Sequence, residues 1–120
     1  MWASKIKSTG EAIGVGCRPV RNREMLAARL ADSPVKAVLV DLTSEHCWDL
    51  MEALRGAGAG PAERGLKVVC FGPHVEVDAM KRAAGMGADS VLSRGALSGN
   101  LPGVLTTLEA GDAVRSQLND

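Results

Sequence analysis

Aromatic side chains are scarce in this sequence. It holds one Phe, two Trp and no Tyr in 120 residues, so a base-stacking platform for single-stranded nucleic acid has almost nothing to be built from. An excess of charge of one sign is missing too: 14 Lys and Arg balance 14 Asp and Glu. No global field therefore draws the chain to nucleic acid or to an anionic membrane. No apolar run approaches the roughly 20 residues that a membrane helix needs, and Met1 to Gly10 does not resemble a signal peptide. The expected location is the cytoplasm. Cys17, Cys47 and Cys70 are odd in number, widely spaced and without a Cys-x-x-Cys pair, which argues against zinc or a disulfide framework. They read as small buried hydrophobes. No Walker loop, nucleophile elbow or zinc-ligand set occurs. Gly14-Val-Gly16 opens like a dinucleotide fingerprint, but it falls between a helix and a strand and lacks the third glycine. It reads as a turn, and no cofactor or metal is expected.

What remains is ordinary globular material, 46% hydrophobic and 23% charged, enough for one domain with a real core. That domain is expected over residues 1–110, followed by a polar tail, 111–120, with a weak helical pattern. The centre of the pattern is Val35 to Leu42, an apolar strand that ends on one acidic residue, Asp41. Around it the periodicity predicts a helix over Ala3 to Ile13 stopped by Gly14, and a short strand over Val15 to Val20 that Pro19 assigns to an edge. Asn22 is placed to cap a helix through Ala31, and Ser44 to cap one from Glu45 to Arg55. The Gly-Ala-Gly-Ala-Gly-Pro stretch within Gly56 to Gly65 predicts a flexible connection without a regular element. Leu66 to Phe71 is the second strong strand, Val75 to Met86 a helix ended by Gly87, Ser90 to Leu92 the last strand. Asn100 caps a final helix that Gly111 ends.

Strands alternating with helices predict an α/β fold, a doubly wound parallel sheet of four strands in a three-layer α/β/α arrangement. In such sheets ligands gather at the carboxyl ends of the strands. Asp41, Gly72 to His74 and Ser93 to Arg94 all fall there.

Two stretches, Val38-Leu-Val-Asp41-Leu and Ala84-Gly-Met-Gly-Ala-Asp-Ser-Val-Leu-Ser-Arg94, resemble the response-regulator receiver domain, and the likeness runs over nearly the whole chain. It implies a flavodoxin-like fold, with Asp41 at the phosphoacceptor position, Gly72 where the family uses a Thr or Ser hydroxyl, and Arg94 where it uses Lys. The family's first strand and the acidic pair that holds its magnesium have no counterpart here. An aspartyl phosphate at Asp41 would have only Arg94 to offset its charge. The resemblance thus implies a pseudo-receiver, a non-catalytic domain acting in signal transduction through protein contacts. In the family's strand order the absent strand is central. The expectation is that Met1 lies a few residues inside the ancestral domain, and that the edge of Val35 to Leu42 is closed by a rearranged four-stranded sheet or by a second copy in a homodimer.

The alternative from another class is a small-ligand, anion or metal-dependent enzyme site built from Asp41, His74 and Arg94. Each has a bland reading beside it. Asp41 could cap the next helix or pair with Arg94, and a guanidinium does not exchange protons at neutral pH. His46 and Asp78 could join His74 only across separate helices. Trp2, Val38 and Trp48 are the candidate interface residues, Trp48 being equally suited to the core.

Overall fold

The computed structural model describes residues 2–118. The chain runs α1 (Trp2–Ile13), α2 (Arg23–Asp32), β1 (Ala37–Asp41), α3 (Cys47–Arg55), α4 (Pro61–Arg64), β2 (Lys67–Gly72), α5 (Val77–Gly85), β3 (Ser90–Ser93), α6 (Arg94–Gly99) and α7 (Leu101–Glu109). The three strands form one parallel sheet in the order β1-β2-β3, with Val38 opposite Val68 and Cys70 opposite Val91. The β-branched runs of β1 and β2 make these strands, and their burial on both faces removes the need for polar alternation.

Side chains alternate between two cores, as the two-residue period requires. Val40, Val68, Cys70 and Val91 pack with Leu26, Leu50, Met51, Leu54 and Met80, the inner stripes of α2, α3 and α5. Val69, Phe71 and Leu92 pack with Leu97, Leu101, Leu105 and Leu108 of α6 and α7, and Trp2 and Ile6 of α1 lean on that cluster. Burying each Leu, Met or Phe fully contributes about 1.5–3 kcal/mol. The sheet is therefore covered on both sides, as the alternating pattern predicts.

Local signals behave as their chemistry dictates. Asn22 Oδ1 accepts the Met25 N–H at 2.9 Å, capping α2. Gly14 and Gly87 take φ of 78° and 104°, a left-handed turn that only glycine adopts without strain, and so end α1 and α5. Gly10 is buried inside α1 because the chain doubles back against it: a Cβ there would stand 2.5 Å from the Val15 carbonyl oxygen.

Several expectations need correction. Residues 15–20 form no strand, so the described sheet has three strands and not four. Pro19 lacks a backbone donor, Gly16 and Arg18 supply no wall-filling side chain, and the stretch makes no ladder with β1. Ser44 does not cap α3; its N–H and Oγ both donate to the Asp41 carbonyl, and the cap position falls to His46, without a side-chain bond. The glycine-rich connection does hold one turn, α4, because Pro61 pre-sets the first helical φ and Glu63 reaches back to the Gly60 N–H at 3.1 Å. Asn100 makes no side-chain cap, and an additional helix, α6, starts at Arg94, capped by Ser93 Oγ accepting from Ala96 N–H. The tail is not helical as far as Leu118, and its last two residues lie outside the described ones. It lies along β3, where Gln117 bridges Leu92 in parallel and Ser116 Oγ accepts the Val91 N–H.

Arg55 ties the amino end of the sheet together. Its guanidinium donates to the carbonyls of Glu63, Leu66 and Gly87 and to Asp89 Oδ2 at 2.9 Å, and Asp89 Oδ2 also accepts the Val68 N–H. No helix among the described residues is long and apolar enough to cross a membrane.

Candidate functional site

Asp41 closes β1 at the carboxyl edge and is half-buried. Its Oδ1 accepts from the Thr43 N–H at 2.9 Å and from Thr43 Oγ1 at 2.7 Å, a turn in which the carboxylate stands in for a backbone acceptor. The carbonyl of the same residue takes both donors of Ser44. Arg94 does not bond Asp41 directly. Its Nη2 donates to Thr43 Oγ1 at 2.9 Å, so the hydroxyl relays between guanidinium and carboxylate. Asp41, Thr43 and Arg94 form one chain of three side chains across the mouth of the sheet. Thr43 was not singled out from the sequence, although Asp-x-Thr after a strand is a turn signature that points to it.

The other predicted members lie outside this chain of three side chains. His74 is exposed in the turn after β2 and is not among the residues that line the groove at this edge. Gly72 is buried, and a Cβ at that position would touch Leu42 at 3.5 Å, so its smallness serves packing. His46 is exposed beside Glu45 and Asp49, at 3.9 and 3.8 Å, and Asp78 is on α5. Among the described residues no group of three His, Cys, Asp or Glu could hold a metal ion.

Of the three interface candidates, Trp2 is half-buried, its ring 5.1 Å from that of Phe71 at a 58° tilt, with the Lys5 ammonium 5.0 Å above it. Trp48 is half-buried under the Arg82 guanidinium, which sits 4.0 Å from the ring centroid. That contact contributes about 0.5–1 kcal/mol and covers the face an anchor would present. Val38 is half-buried against the α2–α3 core. Burial pushes the Cys70 thiol up to about 12, with the neighbouring Cys47 adding to it, and raises Cys47 as well. Cys17, half-buried, is raised by burial first and by Glu109 second.

A broad concave feature lies beside β1, reaching the strand tips only at its end. A groove of about 970 Å³ runs between residues 33–41 on one side and 15–22 on the other. Trp2, Ile6 and Leu105 form one wall and Leu26 and Leu50 the other. Asp41 and Arg94 stand at its carboxyl end, and Arg29 lines it from α2. The Nε atoms of Arg29 and Arg94 are buried and have no hydrogen-bond partner among the described residues. Among the described residues no rearranged strand closes the edge of β1.

Comparison with models of protein families, with curated proteins and with solved structures returned no significant match.

Proposed function

We propose that the chain is a non-catalytic, receiver-like domain that acts through protein contact along the open edge of β1. The observation that carries this reading is the groove beside β1: a strand edge bordered by apolar walls is a surface that recruits polypeptide. The state of Asp41 supports the non-catalytic part. Its Oδ1 is engaged by two donors from Thr43, and Arg94 meets that hydroxyl through a single Nη2 bond and not the carboxylate. Both bonds go to Oδ1 and hold the turn after β1, a structural use of the carboxylate that needs neither metal nor phosphate.

Two measurements test the reading. Incubation with acetyl phosphate and Mg²⁺ is expected to leave the intact mass and the Tm unchanged; a phosphoryl adduct on Asp41 would restore the switch. Photocrosslinkers placed at Lys7 and Arg21, on the groove rim, are expected to capture a polypeptide in cells, while one at Lys81 on α5 captures none. Absence of rim crosslinks removes the reading.

A second reading, a small-anion site at the carboxyl end of the groove, is favoured by one observation, the unpartnered Nε of Arg94. The groove volume lies at the upper end of small-ligand pockets, about 300–1,000 Å³. A Tm raised by inorganic phosphate and not raised in Arg94→Gln would select it.

A further inference from the structure

The two edges of the sheet are finished differently. Along β3 the outer edge is taken up by the tail: Gln117 N–H donates to the Val91 carbonyl, Ser93 N–H to the Gln117 carbonyl, and Ser90 Oγ to the Val114 carbonyl. Along β1 there is no equivalent. The bonds from Leu42 N–H to the Phe71 carbonyl and from Lys67 N–H to the Lys36 carbonyl turn the even-numbered residues toward β2. Alternation then turns the backbone N–H and C=O of Ala37 and Leu39, and the N–H of Asp41, away from β2 and into the groove. An extended segment laid beside them would satisfy all of these groups at once.

The shape of the groove narrows the choice of occupant. Residues 15–22 stand across it from β1. They leave room for a single segment but obstruct the flat approach that a second β1 edge, carrying its own sheet, would need. Both walls are apolar, so a strand between them meets apolar surface with each alternate side chain. Charge decides its ends. Arg29, in the last turn of α2, lies toward the amino end of the groove, and Arg94 closes the carboxyl end. Six Lys and Arg side chains line the groove against three carboxylates, those of Asp41, Glu45 and Glu109, and a carboxylate is the acceptor that matches a guanidinium best.

We propose that the groove takes an extended segment of a separate protein as an added strand beside β1, apolar over about five residues, the length of β1, and acidic at both ends. This rests on the protein-contact reading above and specifies its partner.

The test uses the whole chain and two synthetic nine-residue peptides with the same alternating Val and Ile centre, one flanked by Glu and Asp, the other by Lys. Hydrogen exchange at the Ala37 and Leu39 amides is expected to slow at least tenfold with the acidic peptide and to stay unchanged with the basic one. The double variant Arg29→Gln, Arg94→Gln is expected to weaken binding of the acidic peptide tenfold or more at an unchanged fold, checked by circular dichroism. Equal protection by both peptides overturns the acidic partner. Amides already protected in the free protein, together with a dimer by sedimentation, would make a second copy the occupant and overturn the proposal. No protection by either peptide, with the rim crosslinks present, overturns this strand while leaving the protein-contact reading standing; loss of the rim crosslinks removes both.

Discussion

At the scale of single residues, the aspartate that ends β1 has structural work in its own turn. The Asp41 carboxylate organises the turn from β1 toward α3 through Thr43. Asp41→Ala removes two acceptor contacts and is expected to cost about 1–2 kcal/mol in urea denaturation, whereas Asp41→Asn keeps an oxygen in place and is expected to cost less than half as much. A metal or phosphoryl role would instead make the two variants behave alike, since Asn could fill neither. Cys70 gives a pH signature. Its native thiol is pushed up to about 12 from an ordinary value of 9.0, chiefly by burial. The native state therefore holds a proton that the unfolded chain releases. The contribution is fully present below pH 9 and is lost as pH rises from about 9 toward 12, with a slope of about 1.4 kcal/mol per pH unit. Urea unfolding between pH 8 and 11 should show wild type losing stability more steeply than Cys70→Ala, whose starting stability is lower because of the cavity. Parallel slopes would mean that the thiol is not held neutral.

At the scale of elements, Arg55 governs how helices meet the sheet. Its side chain is only 10% exposed, and its donors reach the ends of α3 and α4, the approach to β2 and the turn before β3. Arg55→Ala would leave several carbonyls and the Asp89 carboxylate without their donor. The expected loss is about 2–3 kcal/mol in chemical denaturation, mostly from carbonyls left without a donor, since the Asp89 carboxylate is partly exposed and can be solvated. Arg55→Lys should recover only a minor part, because one ammonium cannot span a fork of acceptors set around a planar guanidinium. α1 is held differently, by close approach at Gly10 and by the Trp2–Phe71 contact. That contact places the start of α1 over the carboxyl end of β2 and makes α1 one wall of the groove.

For the molecule as a whole, the sheet has one closed edge and one open edge, and the closure is supplied by residues that composition alone marks as a polar tail. Truncation after Asp112 would remove the partners of Ser90, Val91 and Ser93. We expect a loss of about 2–4 kcal/mol, at about 1 kcal/mol for each hydrogen bond, and concentration-dependent association through the bared β3 edge in sedimentation velocity. A truncated chain that stays monomeric with an unchanged urea midpoint would show that the tail is not part of the sheet.

The alternation of elements, the two strong strands, the Asn22 cap and the glycine stops were all readable from the sequence, because each depends on a period or on a residue's own backbone chemistry. Three things depended on distance in space. Residues 15–20 have a strand-like pattern but lie across a groove from β1, so the pattern had no partner to pair with. The tail is largely polar because it joins β3 mainly through its backbone, with Val114 as its apolar contact to the core. Asp41 and Arg94 stand together at the mouth of the sheet as expected, yet the hydroxyl of Thr43 stands between them, and a side chain's nearest neighbour is set by packing and not by order along the chain. Local patterns determined which segments are strands and helices; only the tertiary structure decided which strand edge was closed and which was left open.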